Sequence, residues 1–279
     1  MTGLPRLNAT RYVQPLREGG SLPAVVDTDA DGLYVVKFRG AGQGAKVLVA
    51  ELIVGGIASA LELPIPSLGI VEVSDRFGRS EPDPEIQDLL RRSHGVNVGM
   101  RYLEGAFNFD PKAAGDLIPP EIAARTVWLD AFTTNPDRTH RNPNLLIWHR
   151  TPWLIDHGSA LYVHHDWASV DAERARSPFA LIRSHVLLEP AGDLGDADAW
   201  ATARVTENAI RDVLASVPDE LLLDPVSSMG EFRTADEARD RYARYLLERV
   251  SSRDRWLDEA RRAQEQVRIE VPQHLAARR

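Results

Sequence analysis

"NPDRTHRNPN", residues 135–144, is the stretch of the sequence that decides the fold. Apart from its prolines it contains no apolar side chain, yet it separates two apolar segments, "RTVWLDAF" and "LLIW". A connection between two buried elements commonly needs only about two to six residues of ordinary turn chemistry. An aspartate and asparagines held between prolines therefore indicate a loop that carries chemistry, with Asp137 and Asn142 as its candidate reactive groups.

A second aspartate completes the pattern. The segment "LIDHG" ends an apolar strand at Asp156, with a glycine two residues later. Phosphoryl transfer needs a group that orients the acceptor hydroxyl, hard oxygen ligands for magnesium, and a cation for the phosphates. Asp137 is the candidate base, and Asn142 and Asp156 are the candidate magnesium ligands.

The cation is predicted from the segment "LYVVKF", residues 33–38. Strand alternation places Lys37 on the same face as Val35. In the predicted helix of residues 45–62, Glu51 lies on an apolar stripe, where a carboxylate is costly unless it is paired. Lys37 is the nearest lysine on the preceding strand, so we expect an ion pair between Lys37 and Glu51. Taken singly, an exposed strand lysine and a partly exposed helix carboxylate are the alternatives.

The pattern of elements changes near residue 100. Strands and one helix are predicted before it, and helices dominate after it, around 178–187, around 200–216 and from 235 to 268. We therefore expect an α+β protein with a small β-rich N-terminal lobe, residues 1–100. A larger helical C-terminal lobe, residues 101–279, follows, and a cleft lies between the two.

Four segments resemble the HipA-like kinases, a bacterial branch of the protein-kinase-like fold: "LYVVKF", "AELIVGGIASALELPIPSLGIVEV", "NPDRTHRNPNLL" and "LIDHGSAL". The resemblance covers residues from about 10 to 165. It implies a kinase that binds ATP with magnesium in the cleft and transfers the γ-phosphate to a hydroxyl, with serine or threonine of a protein favoured. The acceptor itself stays unknown, and a regulatory partner protein is possible.

The resemblance also implies roles for single residues. Lys37 would bind phosphates, Glu51 would hold Lys37, Asp137 would be the base, and Asn142 and Asp156 would bind magnesium. The adenine would meet a hinge of Arg101, Tyr102 and Leu103, and the loop "REGGSLP" would cover the phosphates through Gly19, Gly20 and Ser21. Phosphorylation of Ser21 would add charge beside ATP.

The sequence departs from the protein-kinase pattern at three places. The phosphate loop is not G-x-G-x-x-G, Pro136 precedes the candidate base where kinases carry arginine, and His157 replaces the phenylalanine of D-F-G. Two alternatives stay open: a small-molecule phosphotransferase on the same fold, and a non-catalytic nucleotide-binding module. The presence of both aspartates and the asparagine argues against the second alternative.

Composition narrows the function classes. The net charge is −8 and no Lys/Arg-rich block occurs, so direct nucleic-acid binding is not expected. There is no cysteine, which excludes disulfides. No secretory signal and no apolar run of membrane-spanning length is apparent, so we expect no membrane contact and a cytoplasmic location.

Several polar residues are expected to have no part in the chemistry. Lysine occurs only three times, and two of these residues, Lys46 and Lys112, are predicted to be surface residues. Arg138 and Arg141 are predicted on a solvated face of the loop. Asp130 is predicted to order the loop by hydrogen bonding.

Overall fold

The computed structural model describes residues 3–16, 22–30, 32–42, 44–79, 81–228 and 230–270. The fold is mixed α+β, as the sequence predicts. The first elements are mostly strands, and they are β1 (Arg6–Pro15), β2 (Ala24–Thr28), β3 (Leu33–Lys37), α1 (Ala45–Ala60), β4 (Leu68–Val73), α2 (Pro84–Arg92) and β5 (Gly95–Arg101).

The five strands close into a barrel in the order β1-β2-β3-β5-β4. Neighbouring strands are antiparallel except β1 and β4, which pair in parallel and close the barrel. The side chains of Tyr34, Val36 and Phe38 pack in the barrel core, as strand alternation predicts. The opposite face of β3 therefore turns Val35 and Lys37 away from that core.

Helix α1 is buried along nearly its whole length, because it lies between the barrel and the helical part of the chain. A Cβ atom at Gly56 would lie 2.7 Å from a methyl carbon of Val213, so a larger residue there would push the helix away from its neighbour. The close approach fixes α1 against the helical part of the chain.

The rest of the chain is mainly helical. Its elements are β6 (Phe107–Asn108), α3 (Pro111–Ala114), α4 (Pro120–Phe132), β7 (Leu145–Trp148), β8 (Thr151–Leu154), α5 (Ala172–Arg176), α6 (Leu194–Thr202), α7 (Glu207–Ala215), α8 (Asp219–Leu222), α9 (Ala235–Ser251) and α10 (Arg253–Glu270). Short 3₁₀ turns connect several of them. The strands β6, β7 and β8 form a small antiparallel sheet in that order.

Three predicted helices differ from the structure. The predicted helix at 235–268 is two helices, α9 and α10, because the hydroxyls of Ser251 and Ser252 donate to the carbonyl of Glu248 and help to end the first one. The predicted helix at 200–216 is also two, since Thr206 caps the start of α7. The predicted helix at 178–187 is a 3₁₀ turn, Ala180–Ser184.

One hydrophobic cluster connects α1, β4 and β5 with α4, α6, α7, α9 and α10, and a second fills the barrel. The division into lobes at residues 1–100 and 101–279 stays a prediction. Among the helices of the described residues, none combines the length and the apolar character that crossing a membrane requires.

Candidate active site

Lys37, at the end of β3, contacts helix α1 and the loop that follows β8. Its Nζ donates to Glu51 Oε2 on α1 at 2.7 Å and to Asp156 Oδ1, beyond β8, at 2.6 Å. The Lys37 side chain is 11% exposed and that of Glu51 is 1% exposed. The ion pair that the sequence predicts is therefore present, and Asp156 is its third member.

The charges of this cluster stabilise one another. Burial alone would lower the pKa of the Lys37 ammonium, but Glu51 and Asp156 outweigh it and raise that pKa. Burial would likewise raise the pKa of Asp156, but Lys37 outweighs it and holds that pKa below its usual value. At neutral pH the cluster therefore holds the charged ammonium of Lys37 between two acidic side chains.

The backbone places Asp156 by an uncommon conformation. Its φ is 56°, in the left-handed region, which an aspartate tolerates better than a branched residue does. The next residue, His157, donates its backbone N–H to Glu51 Oε2 at 2.9 Å. Strained backbone of this kind persists where the surroundings enforce it, and it concentrates at functional sites.

Asp137 is held in one orientation. Its carboxylate Oδ2 accepts hydrogen bonds from Ser159 Oγ at 3.3 Å and from Asn144 Nδ2 at 3.4 Å. Its backbone N–H donates to Asn135 Oδ1 at 3.1 Å. None of these contacts uses Oδ1, so one carboxylate oxygen stays available to a ligand in the cavity.

The two asparagines that follow Asp137 differ in placement. Asn142 is exposed, and within the described residues its hydrogen bonds use its backbone, with Thr139 as partner. Asn144 is buried and left-handed at φ 49°, and its Nδ2 donates to the Asp137 carbonyl at 3.2 Å. Asn144 lies directly before β7. This position is the feature of the sequence by which Asn144 could have been identified as a site residue.

A cavity of about 950 Å³ lies over these groups. Its wall includes Lys37, Asp137, Asn142, Asn144 and Asp156, and the predicted hinge residues line it too, together with several apolar side chains. At that hinge the backbone N–H of Arg101 donates to Ser67 and that of Tyr102 donates to Leu33. The predicted phosphate-loop residues Gly19, Gly20 and Ser21 lie outside the described residues.

A buried cluster of polar side chains orders the loop that carries Asp137. Arg138 Nε donates to Asp130 Oδ2 at 2.6 Å, and both side chains are fully buried. His185 Nε2 lies 2.9 Å from the same oxygen, and Asn135 Nδ2 donates to Oδ1 at 3.0 Å. Asp130 therefore orders the loop, as predicted. The prediction that Arg138 lies on a solvated face is wrong, because Arg138 also donates to the carbonyl of Asn144 and so is enclosed by the loop; Arg141 is exposed.

The protonation states of this cluster follow from its partners. Burial raises the pKa of Asp130, but Arg138 and His185 outweigh it and hold that pKa far below its usual value. Burial lowers the pKa of His185 despite the neighbouring carboxylate. The loop thus contains one buried ion pair and an adjacent histidine that is mainly neutral at pH 7.

Burial also lowers the pKa of His157 to about 4, from an ordinary 6.5. The folded state then binds fewer protons than the unfolded state between these values, so acid weakens the fold in that window. We expect His157→Phe to remove this loss. When the pH falls from 7 to 5, the unfolding free energy of the unmodified chain should decrease by about 2 kcal/mol more than that of the variant. Urea unfolding at both pH values, without metal or nucleotide, measures the difference. A parallel pH dependence in both proteins would show that His157 does not titrate in this window.

The oxygen donors fit magnesium better than they fit a transition metal. Among the described residues, no three His, Cys, Asp or Glu side chains are grouped closely enough to hold a metal alone. Magnesium in nucleotide sites commonly takes one or two carboxylates and completes its shell with phosphate oxygens and water. Asp156 and an asparagine amide oxygen supply donors of this kind.

Comparisons with known proteins give a family match and a shared fold. The sequence model of a family described as HipA-like kinase matches residues 10–256. The Helicobacter pylori proinflammatory kinase CtkA shares the fold, with a TM-score of 0.55 and 12% identity over 95% of this chain and 99% of that one. A chain from the Shewanella oneidensis MR-1 complex of HipA, HipB and operator DNA gives a TM-score of 0.44 and 11% identity, over 92% of this chain and 68% of that one. No curated protein sequence matches the chain.

Proposed function

The chain belongs to the HipA-like kinase family, and from that premise we propose that it transfers the γ-phosphate of ATP to a hydroxyl group. The observation that carries the proposal is Lys37, held between Glu51 and Asp156 at the wall of a cavity that Asp137 also lines. A cation, an orienting carboxylate and oxygen ligands on one cavity wall are the groups that phosphoryl transfer requires.

ATP would lie with its phosphates at Lys37 and its adenine at the hinge. The amides of Arg101 and Tyr102 are engaged by the barrel, and within the described residues the N–H of Leu103 is the hinge amide left without a backbone acceptor. We therefore assign the adenine contact to Leu103, between the apolar side chains of Val35 and Val98. Gly19, Gly20 and Ser21 stay proposed as the phosphate-covering loop.

Magnesium would be held by Asp156 and an asparagine. Because Asn144 Nδ2 is bonded to the Asp137 carbonyl, its amide oxygen is left for a ligand, and we propose Asn144 as the principal amide donor. Asn142, which the sequence favours, is retained as the alternative. When bound, magnesium would supply positive charge that offsets the negative charge of the phosphates during transfer.

The two asparagines are separable by a matched pair of variants. We expect Asn144→Ala to lower transfer by about 10- to 100-fold, because it removes a ligand and a support of Asp137. Asn142→Ala should change the rate little, since its side chain is exposed. Rates measured against magnesium concentration test the assignment, and Asn144→Ala should also need more magnesium for half-maximal rate. If Asn142→Ala causes the larger loss, the amide ligand is Asn142.

Asp137 would orient the acceptor hydroxyl through its free Oδ1 and take its proton. The acceptor oxygen forms a bond to the γ-phosphorus as the bond to the β-phosphate oxygen breaks, and ADP leaves. We propose serine or threonine of a protein as the acceptor, with a small molecule as the alternative. We also propose the two-lobed arrangement and the cytoplasmic location that the sequence predicts, and a regulatory protein partner, which rests on family membership.

The deciding experiment incubates the purified chain and a cell extract with γ-labelled ATP and magnesium. Protein and small-molecule fractions are then separated, and a parallel reaction contains EDTA. We expect magnesium-dependent label in the protein fraction. Label in the small-molecule fraction would support the alternative acceptor, and no transfer above the EDTA control would reject a catalytic function and leave a nucleotide-binding module.

A further inference from the structure

Lys46, in the first turn of α1, is buried. The prediction that it is a surface residue is therefore wrong. It is 9% exposed, and its Nζ donates to Glu231 Oε2 at 2.9 Å and to the carbonyl of His164 at 2.5 Å. Lys112 is exposed, as predicted. A buried ammonium is costly unless it is paired, so these bonds are needed where Lys46 lies.

A second set of contacts caps the same end of α1. Gly44, the N-cap residue, provides no side-chain hydrogen bond, and Ser227 Oγ instead accepts from the Ala45 N–H at 2.8 Å. A Cβ atom at Gly44 would lie only 2.3 Å from that hydroxyl oxygen, so the glycine permits the approach. Unpaired N–H groups at a helix start need such acceptors.

Ser227 is itself fixed by its neighbours. Its backbone N–H donates to Asp224 Oδ2 at 2.9 Å, and the other oxygen of Asp224 accepts from Arg39, just after β3. We call residues 224–231, between α8 and α9, the anchor segment; residue 229 lies outside the described residues. The anchor segment therefore contacts both the start of α1 and the end of the strand that carries Lys37.

Lys46 also reaches the chain beyond Asp156. His164 lies in the 3₁₀ turn Tyr162–His165, eight residues after Asp156, and its ring Nδ1 is 2.9 Å from the hydroxyl of Tyr242 on α9. Lys46 thus connects α1, the anchor segment and the segment that follows Asp156. An ammonium with three rotatable donors suits two acceptors in a small buried space, whereas a planar guanidinium needs more room.

We propose that Lys46 is a positioning residue: through the anchor segment and His164 it holds α1 where Glu51 meets Lys37. Glu51 follows Lys46 by five residues on the same helix, so a shift of the helix start moves the carboxylate that fixes Lys37. This inference rests on the proposed kinase function for its effect on rate. Its effect on the mobility of α1 is independent of that function.

The first arm measures amide hydrogen exchange of α1 in the full chain without ligands. We expect Lys46→Met and, less strongly, Ser227→Ala to speed exchange in residues 45–60, while Lys112→Met leaves it unchanged. Unchanged exchange in a folded Lys46→Met variant would overturn the proposal, whatever Ser227→Ala does. If Lys46→Met does not fold, Ser227→Ala decides this arm.

The second arm compares kcat and KM for ATP in Lys46→Met, Glu51→Gln and the double variant. Displacement of a positioned group by about 1 Å can cost up to about 100-fold in rate, so Lys46→Met should lower kcat within that range. If Lys46 acts through Glu51, it should lower kcat much less in the Glu51→Gln background. Equal fold losses in both backgrounds would overturn the route through Glu51. Absence of transfer by the unmodified chain would reject the proposed function, and the exchange arm would still decide the anchoring.

Discussion

Replacing Asp137 with asparagine is expected to lower phosphoryl transfer by about 10²- to 10⁴-fold while ATP binding stays nearly unchanged. Asparagine has almost the same shape, and its side-chain oxygen can still accept hydrogen bonds from Ser159 and Asn144. It cannot take the proton of an acceptor hydroxyl. Within the described residues, the ion pairs of Lys37 are with Glu51 and Asp156 and not with Asp137, so the proposed phosphate-binding charge is left in place.

The measurement pairs labelled phosphate transfer with calorimetric binding of ATP and magnesium. Asp156→Ala serves as the contrasting variant, since it removes a proposed metal ligand and a partner of Lys37 and should weaken magnesium-dependent ATP binding. Full turnover by Asp137→Asn would show that another group accepts the proton. Loss of binding in Asp137→Asn would show that Asp137 holds the nucleotide and would remove the basis for its separate role.

Local sequence rules were sufficient for the charged pair. Strand alternation separates Lys37 from the barrel core, and the apolar stripe around Glu51 requires a cationic partner. Both rules depend on residues that are close in sequence, and the structure has the pair at 2.7 Å. Asp156 is predicted from its position at the end of an apolar strand, whereas its contact with Lys37 joins residues 119 positions apart and depends on the tertiary fold.

These local rules do not predict contacts between residues that are far apart in the sequence. The closure of the barrel depends on parallel pairing of β1 with β4, whose partners are more than sixty residues apart, as in Arg6 with Ile70. The choice between Asn142 and Asn144 depends on the path of the loop backbone, which spacing alone does not define. Lys46 has no partner nearby in sequence, because Glu231 and His164 come from distant segments.

The burial of Arg138 has the same origin. In sequence Arg138 stands between polar neighbours, which is typical of a solvated loop. In the structure it is 1% exposed because Asp130 on α4 and the backbone of the loop surround it. Asp130, buried on α4, thus determines the environment of Arg138, which directly follows the candidate base Asp137.

Arg138→Met is therefore expected to reduce the unfolding free energy by about 3 to 5 kcal/mol, because it leaves the buried carboxylate of Asp130 without its cationic partner. His185 and Asn135 stay within hydrogen-bonding distance of Asp130, but neither carries a permanent charge. Urea unfolding at pH 7 measures the loss. Arg141→Met is the matched control: it lies in the same loop, is exposed, and should change stability by no more than about 0.5 kcal/mol.

The double variant Asp130→Asn with Arg138→Met shows how much of the lost unfolding free energy comes from the ion pair and how much from the packing of the arginine stem. Removing both charges should cost less than removing the arginine alone, since no unpaired charge is left buried. Equal losses for Arg138→Met and Arg141→Met would contradict a structural ion pair beneath the loop. A double variant less stable than Arg138→Met would instead assign the stability to the other bonds that Asp130 accepts. In either case the orientation of Asp137 would need another support, because the loop that holds it rests on Asp130 and Arg138.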